Sequence, residues 1–130
     1  MDANRTRSVA VVIAAKNAQA TIGDAVRSAL AQPEARQVVL VDDGSSDGTA
    51  DAACAAAGGD GRLIVRRNPI SAGPAAARNL GVSLSDAAWI APLDSDDYFQ
   101  TGRLGRLLDQ ADGADFVADD LLTLREGAQD

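Results

Sequence analysis

Histidine is missing from this 130-residue chain. Without it there is no Ser-His-Asp triad, no Cys-His pair and no imidazole ligand for a metal. Acid–base or metal chemistry must run on carboxylates. Cysteine occurs once, at Cys54, which excludes an internal disulfide and a thiolate zinc site. In its Ala-rich surroundings Cys54 reads as a small buried apolar residue, and the count is compatible with a reducing cytosol. Aromatics make up only 3%, so small aliphatic side chains must build the core. Positive charge is short: 12 Lys and Arg stand against 19 Asp and Glu, a net charge of −7. The basic residues are scattered, and a phosphate backbone needs basic stripes, which argues against nucleic acid as a partner. No apolar run approaches the ~20 residues of a membrane helix. Arg5 and Arg7 ahead of the apolar run at 9–15 have the outline of a signal peptide. That run is short, and Lys16 and Asn17 follow it directly, so a first buried strand explains it better.

What is present alternates. The β-branched run at 9–14 reads as a strand covered on both faces. A helix is predicted over 21–31, capped by Thr21 with Asp24 three residues on, and with Ile22, Val26, Ala29 and Leu30 in one stripe. QVVLV (37–41) is a second strand. Asp47 caps a second helix that runs to Ala57 and stops at Gly58-Gly59. RLIVR (62–66) is a third strand, and Pro74 opens a third helix to about Leu84. A fourth strand is predicted over 88–93, a fourth helix over 100–111, and a fifth strand from Asp115. This regular alternation implies one α/β domain: a mostly parallel sheet with helices on both faces.

In such a sheet, ligands bind beyond the carboxyl ends of the strands, where the strand order reverses. Two of those ends are acidic: DDGSSDG (42–48) after the second strand and DSDD (94–97) after the fourth. Clustered carboxylates are tolerable where a divalent cation binds between them, and the cation lets an acidic protein take an anionic ligand. Each cluster also has a plainer reading. Asp47 suits a helix cap, Asp42-Asp43 suits a turn, and Asp94 and Asp96 suit a solvated loop. Arg78, taken alone, suits a surface. No G-x-x-x-x-G-K-[ST] loop is present, so a P-loop is excluded, and no G-x-G-x-x-G follows the first strand.

Three stretches together resemble the family 2 glycosyltransferases, which have the Rossmann-like GT-A fold: VVIAAKNAQATIGDAVRSALAQ, VVLVDDGSSDGTAD and GPAAARNLGVSLSDAAWIAPLDSDDY. The likeness covers nearly the whole chain, about 9–117. It implies a three-layer sandwich, a nucleotide-diphosphate sugar donor, often uridine-based, and Mg²⁺ or Mn²⁺ as cofactor. By the same resemblance, Asp43 bonds the base, with the backbone near Ala14, beside Asn17, framing it. Asp94 lies near the ribose or the metal. Asp96, in the D-x-D motif, is the principal metal ligand. Gly73 allows close approach of the nucleotide, and Arg78 orders the donor site. The implied chemistry is inverting transfer to a glycan or lipid-linked acceptor in polysaccharide or cell-surface biosynthesis. The implied location is the cytoplasm, at the inner face of the membrane where the acceptor is lipid-linked.

The sequence departs from the family in two places. Where many members have Pro-Thr-Tyr-Asn after the first strand, this chain has Ala14-Ala15-Lys16-Asn17, so an aromatic is lost and Lys16 is read as a phosphate contact. Members also continue well past the D-x-D motif with an acceptor-binding half that supplies the catalytic base. Residues 1–130 are therefore read as the nucleotide-sugar-binding domain alone, with the base outside it and Asp119 and Asp120 as the only nearby substitutes. The surface after Asp115 is then exposed, which makes a homo-oligomer an expected partner state. A non-catalytic nucleotide- and metal-binding module of the same fold is the alternative. A phospho-acceptor signalling domain fits poorly: the third strand ends Arg66-Arg67-Asn68, and no Lys follows the fifth.

Overall fold

The computed structural model describes residues 6–111. Eight elements alternate: β1 (Val9–Ala15), α1 (Ile22–Leu30), β2 (Ala35–Asp43), α2 (Thr49–Ala57), β3 (Leu63–Asn68), α3 (Pro74–Ser83), β4 (Trp89–Pro92) and α4 (Arg103–Asp109). The strands form one parallel sheet in the order β3-β2-β1-β4. The α/β reading is thus borne out. The expected fifth strand, Asp119, Asp120 and the surface after Asp115 lie outside the described residues.

Alternation along the central strands sorts the core into two layers. Val9, Val11 and Ile13 of β1, with Val38 and Leu40 of β2, pack against Ile22, Ala25, Val26 and Ala29 of α1. The other face is covered by α3, which lies on β1 and β2. There the backbone of Gly81 comes so close that a Cβ would stand 2.5 Å from Val12 Cγ1 and 3.5 Å from Val41 Cγ2. Only a residue without a side chain lets this helix sit so low on the sheet.

The helix ends follow the sequence in part. Pro74 opens α3, where its missing N–H costs nothing. Gly58 closes α2 in the left-handed region at φ 58°. Thr21 precedes α1 as expected but makes no capping bond. Its hydroxyl instead donates to the Ala18 carbonyl at 3.4 Å, while Asp24 pairs with Arg27 at 2.6 Å. Cys54 is exposed, not buried. In α2 only Thr49 and Ala53 are buried, and Cys54 lies about 100° further round the helix, on the outward face.

The chain after β4 is anchored to the end of α1. The Ser28 hydroxyl accepts from the Phe99 amide at 2.9 Å. Gln32 is 1% exposed; its Oε1 accepts from the Leu104 amide at 3.0 Å and its Nε2 donates to the Gln100 carbonyl at 3.1 Å. These bonds fix where the loop carrying Asp94, Asp96 and Asp97 can lie.

Candidate functional site

Strand order reverses between β1 and β4, because β2 and β3 lie to one side of β1 and β4 to the other. A cleft of about 370 Å³ opens there, at the carboxyl ends. Ala14, Lys16 and Asn17 line it from the end of β1. Arg78 enters from α3, and Asp94 and Asp96 come from the loop after β4. Six of the sequence-predicted site residues therefore meet: Ala14, Lys16, Asn17, Arg78, Asp94 and Asp96. Asp43 and Gly73 are not among the lining residues; they form a neighbouring latch described below.

Asp94, Asp96 and Asp97 are all exposed, and one carboxylate oxygen from each lies within 4.8 Å of the others. Such a donor set fits a hard divalent cation, which takes oxygen ligands. Asp97 is the third member; the family motif had put weight on Asp94 and Asp96. Its backbone N–H closes the turn on the Asp94 carbonyl at 3.0 Å. Its carboxyl is pushed above the usual range, first by desolvation and then by the charges of Asp96 and Asp94, with Arg103 opposing. Arg78 faces the cluster, its guanidinium 3.8 Å from Asp94 Oδ1. The cleft is thus bipolar, with carboxylates on one wall and Lys16 and Arg78 among its other lining residues.

The DDGS turn is built into the fold. Asp43 is 4% exposed. Its carboxylate accepts from the Ser71 hydroxyl at 2.7 Å, the Ala72 and Gly73 amides at 2.9 and 3.0 Å, and the Asn68 side-chain amide at 3.4 Å. Four donors fill the roughly four lone-pair sites of a carboxylate. They hold its pKa down to about 2, the Ala72 amide and the Ser71 hydroxyl contributing most. Gly73 offers that amide from φ 98°, ψ 161°, a region open almost only to glycine. Gly44, at φ 76°, lets the two loops meet, since a Cβ there would stand 2.8 Å from the Ser71 nitrogen. Asp42 is 1% exposed; its Oδ1 accepts from the Ser45 amide at 3.1 Å, and Arg67 Nε stands 3.9 Å from its Oδ2.

A second set of bonds laces the β1–α1 loop to the β2–α2 loop. Asn17, at φ 53°, donates its N–H to Ser45 Oγ at 2.8 Å and accepts the Ser46 amide on Oδ1 at 2.8 Å. The Ala18 amide donates to Thr49 Oγ1 at 2.9 Å, and the Gln19 amide to Asp47 Oδ2 at 3.2 Å. Asp47 also accepts the Thr49 amide at 3.1 Å and the Thr49 hydroxyl at the start of α2. The expected cap is not Asp47: the N-cap of α2 is Gly48, and Asp47, one residue earlier, holds Thr49 and ties the two loops.

Comparison with known proteins agrees with this architecture. The family model "Glycosyl transferase family 2" matches residues 10–123. The succinoglycan biosynthesis protein ExoU of Rhizobium meliloti is 52% identical over 121 residues, covering 93% of this chain and 35% of that protein. The chain thus spans about a third of the length of that relative. Among solved structures, S. aureus TarS 1–349 in complex with UDP-GlcNAc has a TM-score of 0.73 at 24% identity, over 82% of this chain and 31% of that one. The mannosyltransferase PcManGT from Pyrobaculum calidifontis, in complex with GDP-Man and Mn²⁺, has 0.72 at 22% identity, over 79% and 32%. These two share its fold. With the family model spanning most of the chain and a half-identical relative beside it, the chain belongs to glycosyltransferase family 2.

Proposed function

We propose that this chain is the donor-binding part of a metal-dependent, inverting glycosyltransferase. It takes a nucleotide-diphosphate sugar, with uridine as the expected nucleoside, and serves transfer to a glycan or lipid-linked acceptor in polysaccharide biosynthesis. The observation that carries this reading is the bipolar cleft at the β1/β4 switch point. Its carboxylates suit a Mg²⁺ or Mn²⁺ ion, and its cations suit phosphate. The relative named for succinoglycan biosynthesis supports the polysaccharide setting. The fold neighbours solved with UDP-GlcNAc and with GDP-Man and Mn²⁺ support the donor class and the metal.

In this reading Asp96, Asp94 and Asp97 hold the cation, which as a Lewis acid stabilises charge on the departing diphosphate. Arg78 sets the Asp94 carboxylate and the phosphate side of the cleft. Ala14 and Asn17 frame the nucleoside with backbone that the Ser45 and Ser46 bonds keep in place. Asp43 and Gly73 hold the 71–73 loop beside it. Asp43 reaches the base itself only by releasing a present donor, the Asn68 amide being the longest bond at 3.4 Å. The catalytic base and the acceptor site are assigned to residues outside this domain. Among the described residues no helix is long and apolar enough to cross a membrane; a cytoplasmic protein, peripheral to the inner face, suits a lipid-linked acceptor, and self-association belongs to the same proposal.

Thermal unfolding with UDP and Mn²⁺ tests the reading. Ligand at a hundred times its dissociation constant adds ~2.7 kcal/mol, a rise of about 10 °C for a domain of this size. The expected shift is largest with the metal and shrinks in Asp96→Ala to the value seen without metal. An undiminished shift in that variant would remove Asp96 from the metal site, and no shift in the wild type with either UDP or GDP would remove the donor reading.

A further inference from the structure

We propose that Lys16 binds the phosphate of a nucleoside diphosphate directly, so that part of the donor affinity is independent of the metal. The inference rests on the donor-binding reading above and deepens it by singling out Lys16, of the two cations, as a contact whose contribution does not need the metal. Two cations line the cleft, Lys16 and Arg78. Arg78 already has a carboxylate, Asp94 Oδ1, at 3.8 Å. Lys16 is exposed and makes no hydrogen bond or ion pair among the described residues. It is also the only lysine of a chain with net charge −7. An ammonium on a flexible four-carbon stem, in a cleft that also holds carboxylates, has counter-ions nearby, yet is unpaired among the described residues.

The backbone fixes where Lys16 is mounted. The β1–β4 pairing ends at Val12 and Pro92. Asp94 follows two residues past that pair and Lys16 four, an offset of at most ~7 Å of extended chain. Asn17 then turns the chain at φ 53° and is pinned by Ser45 and Ser46. The mount of Lys16 is fixed while its head group is uncommitted. Lys16 and the carboxylates line one cleft, so an anionic group bound there meets both. Phosphate matches that space: its oxygens accept charge-assisted hydrogen bonds from an ammonium, and the far side of the same diphosphate faces the metal-binding carboxylates.

The test is an NMR titration of the ¹⁵N-labelled 130-residue chain with UDP, GDP and uridine, in Mn²⁺-free buffer with Mg²⁺ and again with EDTA. Wild type is compared with Lys16→Ala and Lys16→Arg. Lys16→Ala is expected to weaken diphosphate binding about tenfold, the low end for a hydrogen bond to a charged group, and by the same factor in EDTA. Uridine binding should not change, and Lys16→Arg should restore most of the loss. Equal UDP affinity in Lys16→Ala and wild type would overturn the inference and leave the donor reading standing. An equal loss for UDP and uridine would also overturn it, assigning Lys16 to the nucleoside or the loop. Failure of the wild type to bind UDP or GDP with Mg²⁺ would sink the donor reading and this inference together.

Discussion

Replacing Gly81 by Ala sets two opposed effects against each other. Gly81 is buried within α3, and helix propensity alone favours Ala by ~1 kcal/mol. Against it stands packing: the new methyl would lie 2.5 Å from Val12 Cγ1, more than 1 Å inside the ~3.5–4.0 Å separation of carbon atoms in contact. Val12 cannot swing away easily. It is β-branched, 2% exposed, and sits on the central strand between β2 and β4. Over-packing of this kind costs ~1–3 kcal/mol, so packing wins and Gly81→Ala should destabilise by about 1 kcal/mol net, or about 4 °C. Urea unfolding of Gly81→Ala, Val12→Ala and the double variant separates the two effects. Val12→Ala removes the obstructing methyls, so in that background Gly81→Ala should become neutral or stabilising. A stabilising Gly81→Ala in the wild-type background would refute the reasoning, because propensity would then be acting unopposed. The result bears on function, since Arg78 stands one turn earlier on the same helix and a lifted α3 carries it away from Asp94.

Two further outcomes follow from the carboxylates. Asp43 has a folded pKa of about 2, below its unfolded value, so the unfolded state binds more protons and the stabilisation is present above pH ~4 and lost as pH falls toward 2. Unfolding midpoints measured at pH 6, 4 and 3 should therefore fall more steeply in wild type than in Asp43→Asn, with a residual slope from Asp60, also near 2; parallel profiles would contradict the bond set around Asp43. Asp97→Asn should raise the melting temperature of the metal-free protein, because desolvation and the neighbouring Asp96 and Asp94 charges disfavour its carboxylate, and should weaken the Mn²⁺-dependent shift; a fall in metal-free stability would show that the cluster is not under repulsion.

The fold was legible because its signals are local. Apolar β-branched runs, Pro74 and Gly58-Gly59 mark elements without reference to anything distant. The failures share a cause. Thr21 had the right residue type for a cap, but its hydroxyl turned back to Ala18, and residue type does not state which of two nearby partners wins. Cys54 was misplaced because an Ala-rich helix gives no amphipathic contrast by which to orient it. Asp43 could be singled out from its motif, but its partners lie 25 to 30 residues away in the 68–73 loop, and no periodicity connects them. Ser28 and Gln32 carried no signal at all. They look like ordinary polar residues at a helix end, and only the fold brings Phe99 and Leu104 to them.

Those long-range bonds bear on how the site works. Three of the four strand ends are tied to one another: β1 to β2 through Asn17 and Ala18, and β2 to β3 through Asp43. The fourth, after β4, is tied to the end of α1 through Ser28 and Gln32. The carboxylates of the acidic loop are therefore held together before any ligand arrives, although their repulsion favours letting them spread. A site assembled in advance loses less free energy in ordering when its ligand binds. The cost falls on stability instead, which is why neutralising Asp97 should make the protein more stable and a poorer binder of metal. If both changes appear together in one variant, the strain in the acidic loop is the strain of a binding site; if stability rises and metal binding is untouched, Asp97 belongs to the loop and only Asp94 and Asp96 to the site.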